Sequence, residues 1–307
     1  MPPTNLHVHA FRAMGCHMQC LIGAHTPAQA HAQGALVAEA MAQWESVLSR
    51  FRPDSELNLL HDRPGTWRTC SPTLWDVIMT AHWAWQWSNG LIDPTIRGAL
   101  ETAGYHAPLA RLSHAAIPGG SWADVELDKH TQRIKIPAHI TIDLAGVAKS
   151  WAAQQALSLF DHNTVVAFDA AGDIALRGTP AGYHAWPIDI EPLAGYRDSG
   201  ILAINDSHGI ATSGIDRRHW LQDGQHRHHI IDPRTGQPSV TDVVRASVIA
   251  PSTVMADVAA RMCVILGSQE MQRWLDQTPE IVVFAHLSDG STFQSGGWQR
   301  YQWPAEV

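Results

Sequence analysis

The residues best placed to do chemistry lie in the run HHIIDPRTG, His228 to Gly236, which packs two imidazoles, a carboxylate and a rigid turn into one short stretch. Ile230 and Ile231 read as a β-like entry that stops at Asp232 and Pro233, after which Thr235 and Gly236 supply a hydroxyl and a permissive backbone. Such a loop can present amides and polar side chains to an anion. An ordinary Asp-Pro turn closing a strand is the plainer account of the same residues. A second candidate is TIDLAGVAKSWAAQQAL, residues 141–157. It carries Asp143 at the end of an apolar approach, starts a helix near Gly146 and puts Lys149 in the first turn, where unpaired N–H groups and an ammonium suit a phosphate. The GxxxxGK[ST] spacing is absent, and helix capping by Asp143 with Lys149 on the surface stays open as the alternative.

Two further segments are turns with polar content. DAAGDIALRG, residues 169–178, places Gly172 and Asp173 in a tight turn or a backbone platform against a flat ring. GIATSG, residues 209–214, ends a strand with Thr212, Ser213 and Gly214. RFRPDSEL (50–57) and GLIDPT (90–95) are polar corners after apolar helices.

These segments need elements to hold them. Residues 6–24 alternate loosely and read as an opening strand or hairpin edge, and 28–50 carry apolar residues at helical spacing up to Phe51, Arg52 and Pro53. A second helix is expected over Thr73 to Ser88, with Leu74, Val77, Trp83 and Trp85 as a packing face, halting at Asn89 and Gly90. The pattern then predicts a hairpin over 123–136, a helix over 145–160, two short strands over 164–177, and strands near 184–190, 200–212 and 241–250. A helix from Thr253 to Leu266 and alternating short elements complete the chain. The loop 106–122 and the turn 178–183 are the most linker-like pieces, yet neither has the length or polarity of an interdomain tether. Without regular βαβ alternation, the class expected is α+β, with mixed sheets and packed helices.

Composition narrows the options. A formal charge of −8 gives no electrostatic footprint for nucleic acid. With 45% hydrophobic and 16% charged residues the chain can bury a sizeable core, and its longest apolar stretch, VMADVAARMCVILG, is too short to span a bilayer. Cys16, Cys20, Cys70 and Cys263 lack CxxC spacing, so reduced thiols are expected. The start MPPTNLHVHAFRAMG has no secretory n-region or h-region, which makes the cytoplasm the expected compartment.

Taken in order, AMG (Ala13 to Gly15), PDSEL (Pro53 to Leu57), IDPT (Ile92 to Thr95), IDLAGVAKS (Ile142 to Ser150), AGD (Ala171 to Asp173), ATSG (Ala211 to Gly214), HHIIDPRTG and ADVAARMCVILG (Ala256 to Gly267) resemble the ApbE family, the FAD:protein FMN transferases. The resemblance implies a T-fold-like α+β unit over 1–307, with two packed α+β lobes as the alternative. It also implies bound FAD whose pyrophosphate is bridged by Mg²⁺. The acceptor, a Thr or Ser hydroxyl of a partner flavoprotein, attacks the FMN-side phosphorus and AMP leaves. The implied metal ligands are Asp257 and the backbone carbonyl of Gly146; flavin contacts fall on Met14, Phe51, Leu91, Ile92, Asp93, Asp143, Lys149 and Ile231. Asp173, Ser213 and Thr235 join the cofactor site. By residue type Phe51 suits the isoalloxazine, Lys149 a phosphate, and His229 the proton of the acceptor hydroxyl or, alternatively, a hydrogen bond to the pyrophosphate.

The chain departs from the family pattern one helical turn after Asp257, where many members carry Thr and this chain has Arg261; Ser150 and Gln154 stand in place of Gly and Asp. The i, i+4 spacing puts Arg261 on the face of Asp257, where it can pair with that carboxylate or reach the pyrophosphate. An FAD-binding protein or slow FAD pyrophosphatase without protein transfer is therefore the alternative. A zinc hydrolase built on His219, His226, His228, His229 and Asp232 is a weaker one, since the chain holds 19 histidines.

Overall fold

The structure, a computed structural model, describes residues 5–105, 121–196, 200–205, 208–222 and 224–304; nearly all of the loop expected over 106–122 lies outside them. The chain divides into two compact units, one comprising Met1–Ala42, Lys149–Gly214 and Thr241–Val307, the other Gln43–Ala148 and Ile215–Val240.

The first unit is built on an eight-stranded sheet whose spatial order follows the chain: Asn5–Ala13, Cys16–Ala24, Val166–Asp169, Ile174–Arg177, Gly209–Gly214, Val243–Ala250, Val282–Leu287 and Thr292–Gln294. Each pairing is antiparallel. Two of its connections are two-residue turns. Met14 and Gly15 (φ 48° and 71°) close the first hairpin, and Ala171 and Gly172 (φ 62° and 98°) close the third strand onto the fourth. Two consecutive residues with φ above zero are what a type I′ turn requires, and its twist matches that of the flanking strands. Asp169 Oδ1 accepts from the Gly172 amide at 2.7 Å and steadies the second turn.

The region expected as one strand over 200–212 is two. Ile201–Ile204 pairs with Trp186–Asp189 in a separate ribbon, whereas Gly209–Gly214 belongs to the large sheet. Asn205, whose carbonyl accepts from the His208 amide, breaks the run. Trp186, Leu202, Ile204, Phe284 and Trp298 form the core between these elements.

The helix Thr253–Leu275 starts at Ser252, whose hydroxyl accepts from the Met255 amide at 3.2 Å. It packs against the strands Gly209–Gly214 and Val243–Ala250. Gly267 leaves the helical region (φ 72°, ψ 170°), so the first stretch ends where the sequence pattern places its end. Asp242 then caps a second stretch by accepting from the Ser268 amide at 2.8 Å.

In the second unit Ser55 caps the short helix Glu56–Leu59. The helix Pro72–Trp87 buries Leu74, Trp75, Val77, Ile78, Ala81 and Ala84, an i, i+3/i+4 stripe. Trp83 and Trp85, expected on that face, lie off the stripe and are half-buried, with Trp83 stacked on Trp87. The hairpin Glu126–Asp128 with Arg133–Lys135 forms as expected, joined by Trp67–Thr69. Smaller pairs are His219–Gln222 with Gln225–His228 and Ile231–Asp232 with Gln237–Pro238. Among the described residues no helix is long and apolar enough to cross a membrane.

His61 sets a pH limit on this unit. Its Nε2 accepts from the Ile142 amide at 3.4 Å, which only the neutral ring can do, and burial, with the Arg97 charge nearby, pushes its pKa down from 6.5 to about 4. A depressed folded pKa on a base favours folding above the unfolded value and loses that contribution as pH falls from 6.5 through about 4, roughly 3 kcal/mol in all. His61→Gln, which keeps an acceptor and does not titrate, is expected to flatten this acid limb in chemical denaturation followed from pH 7 to 4. An unchanged pH dependence would contradict the assignment.

Candidate functional site

In the first unit four charged side chains from three distant segments meet. Lys149 and Ser150 occupy consecutive positions in the helix Ala148–Ala156, Asp173 follows the Ala171–Gly172 turn, and Asp257 and Arg261 lie one turn apart on the helix Thr253–Leu275. Lys149 Nζ contacts Asp173 Oδ2 at 2.6 Å. Arg261 Nη2 donates to Asp257 Oδ1 at 2.9 Å, and the Ser150 hydroxyl donates to Asp257 Oδ2 at 2.8 Å. The helix start is tied to the strand that follows Asp173, because Thr253 Oγ1 donates to the Ile174 carbonyl at 3.1 Å.

The electrostatics couple all four groups. Burial works against the Lys149 charge, yet the attraction of Asp173 and Asp257 holds its pKa above the ordinary lysine value. Burial pushes Asp173 up to about 6, with Lys149 pulling it down and the like charge of Asp257 pushing it up. The carboxylates are the deeper pair: the side chains of Asp257 and Asp173 are 2% and 3% exposed, against 18% for Arg261 and 19% for Lys149. Solvent therefore meets a guanidinium and an ammonium, with the acids beneath them. Met14 sits at the tip of the first hairpin and Ser213 in the strand Gly209–Gly214, in the same unit.

In the second unit the structure brings Phe51 and Asp143 onto a residue that sequence reasoning missed, with His229 one ring further out beside Tyr105. The Arg50 guanidinium pairs through Nε with Asp143 Oδ2 at 3.1 Å and reaches Glu101 at 3.8 Å. It lies 4.4 Å from the Phe51 ring centroid and 5.1 Å from that of Tyr105. Phe51 keeps 45% of its surface exposed, so with one cation against it the ring can still take a flat ligand. Tyr105 stacks on Trp220 and lies beside the His229 ring at 6.3 Å between centroids. The one sequence signal for Arg50 was its place next to an exposed aromatic in RFRPDSEL.

Several expected cofactor contacts are engaged by the protein itself. Asp93 Oδ1 accepts from the Thr95 amide and hydroxyl at 2.8 and 2.6 Å, and Oδ2 from the Trp122 amide at 3.2 Å. Ile92 is buried, its amide donating to the Ser88 hydroxyl, while Leu91 beside it is half-buried. Ile231 packs with Ala99, Leu100 and Ala103 as core. Asp143 Oδ1 accepts from the Ala145 amide, closing the turn that holds Gly146 ahead of the helix, rather than capping the helix.

The HHIIDPRTG run is a tight loop. The Asp232 carbonyl accepts from the Thr235 and Gly236 amides, and its carboxylate accepts from the Arg234 amide and guanidinium. The Thr235 hydroxyl accepts from the Gln237 amide. His228 donates through Nε2 to the Ser239 carbonyl and accepts from the Ile230 amide, with burial lowering its pKa; that ring is spent on the backbone. His229 is half-buried, like His228.

Metal fits poorly. Both oxygens of Asp257 are engaged, and the two acids of its cluster are matched by two bases, so a divalent ion there would add to a site already neutral. The zinc reading also fails: Asp232 and His228 are committed locally, and among the described residues no group of three His, Cys, Asp or Glu is arranged to hold a metal ion.

Comparison with known proteins identifies relatives. The model of the ApbE family matches residues 14–285. The chain is 27% identical over 267 residues to the FAD:protein FMN transferase of Salmonella typhimurium, covering 81% of this chain and 75% of that one. It is 26% identical over 300 residues to that of Treponema pallidum, covering 88% and 81%. Its fold is similar to the ApbE protein of Thermotoga maritima, with a TM-score of 0.87 at 21% identity over 98% of this chain and 100% of that one. It is also similar to the apo flavinyl transferase ApbE of Pseudomonas stutzeri, with a TM-score of 0.82 at 20% identity over 99% and 98%.

Proposed function

Because the chain belongs to the ApbE family, we propose that it is an FAD:protein FMN transferase acting on a Thr or Ser hydroxyl of a partner flavoprotein. The acceptor oxygen bonds to the FMN-side phosphorus, the bond from that phosphorus to the bridging oxygen breaks, and AMP departs with that oxygen and its electron pair. The hydroxyl proton goes to His229. No redox change is involved, so the protein's task is positioning and charge neutralisation.

The observation that carries this reading is the outward-facing pair Lys149 and Arg261 above two buried acids, an arrangement suited to a diphosphate with one charge on each phosphorus. Phe51, backed by Arg50, suits the isoalloxazine. His229, beside Tyr105, is the proton acceptor, an imidazole suited by type to take the hydroxyl proton.

The test is incubation with FAD and a domain carrying the acceptor hydroxyl. AMP released together with a flavin covalently attached to that domain is expected. AMP with free FMN would instead support the pyrophosphatase alternative, and neither product would leave only flavin binding.

A further inference from the structure

We propose that Arg261, with Lys149, supplies the positive charge that neutralises the substrate diphosphate, so that this protein binds FAD and transfers FMN without a metal ion. The inference rests on the flavin-transfer reading and specifies how its phosphates are handled.

Three observations point this way. The first is the donor set: Asp257 gives one oxygen to Arg261 and the other to Ser150, and Asp173 is in contact with Lys149 at 2.6 Å. A divalent ion seated on Asp257 would displace the guanidinium and leave it partly buried beside a dication, which costs far more than the lost contact. The second is depth. The cations are the exposed layer and the acids the buried one, so an ion approaching from solvent meets like charge, whereas a diphosphate meets opposite charge. The third is rigidity: Arg261 and Asp257 share one face of a helix whose start is fixed by Thr253 on the Ile174 carbonyl. The guanidinium is thus held ready for a phosphate oxygen instead of being ordered on binding.

The chemistry is adequate. A guanidinium stays protonated at any working pH and offers a planar fork that matches two phosphate oxygens. In phosphoryl transfer an arginine can meet the charge that develops as the bridging bond breaks. Here that charge grows on the AMP leaving group, and the bond to Asp257 holds the guanidinium in one orientation.

The experiment uses the full-length protein stripped of flavin. FAD binding is followed by fluorescence quenching in excess EDTA and in millimolar Mg²⁺, and metal binding by Mn²⁺ electron paramagnetic resonance with and without FAD. For the native protein, FAD affinity is expected to agree between the two buffers within about twofold, with AMP formation equally insensitive and no stoichiometric Mn²⁺ bound. Arg261→Thr is expected to weaken FAD binding in EDTA by about tenfold or more, to recover with Mg²⁺, and to gain Mn²⁺ binding. Arg261→Lys should keep the EDTA-insensitive behaviour. A native protein that loses about tenfold in FAD affinity on EDTA, or whose FAD complex holds one Mn²⁺, overturns the proposal even if the threonine variant does not fold. Failure to bind FAD in either buffer overturns the flavin-transfer reading as well.

Discussion

Asp257→Asn is expected to lower folding stability by about 3–5 kcal/mol, because it removes one partner of a buried pair and leaves Arg261 facing Lys149 with only Asp173 to balance them. At roughly 1.5 °C per kcal/mol for a chain of 307 residues, the melting temperature should fall by roughly 5–8 °C. The control is the double variant Asp257→Leu with Arg261→Met. Two apolar groups of similar volume need no counter-charge, so most of the loss should be recovered, even though the anion site is gone. Thermal melts of the native protein, the single variant and the double variant decide the matter. A single variant as stable as the native protein would show that Asp257 and Arg261 are not coupled in solution.

The second large effect is expected at Gly209, where no cation or ligand is involved. A Cβ built on Gly209 falls 2.2 Å from the Thr253 amide nitrogen and 2.4 Å from its Cα, both backbone atoms that no rotamer change can move aside. Gly209 is the first residue of its strand and pairs with Ala250, just before the turn into the helix. Gly209→Val therefore has to push that helix start off the sheet, breaking the Ser252 cap and the Thr253 bond to Ile174. The expected cost is about 3 kcal/mol or more, at the upper end of overpacking effects. Because Asp257 lies one turn further on, FAD affinity should fall together with the melting temperature. A Gly209→Val protein that melts with the native one would show that the strand and helix are less closely packed than this.

Much of the architecture was legible because it follows from local periodicity. The Ala171–Gly172 turn sits where permissive residues interrupt two strand runs, and Gly267 ends the Thr253 helix as its sequence pattern indicates. Arg261 was readable for the same reason, since i, i+4 spacing on a helix puts it beside Asp257 whatever the tertiary context. The partners of Lys149, Asp143 and Ser150 were not legible. Lys149 meets Asp173, Asp143 meets Arg50, and Ser150 meets Asp257, each across a long stretch of chain that no local pattern encodes. Sequence also could not say which polar residues were already satisfied. Asp93 and Thr235 carry the right atoms for a ligand, but the structure spends them on neighbouring amides. Ile231 matched the motif by position while its side chain served the core.

The break at Gly267 divides what looks like one long rod into two mechanically separate pieces. Because the hydrogen-bond ladder is interrupted there and Asp242 starts the downstream piece anew, fraying of 268–275 does not propagate back through the helix ladder to the turn that holds Asp257 and Arg261. The guanidinium is thereby insulated from motion in the downstream segment, and its geometry is governed from the Ser252 end of the helix.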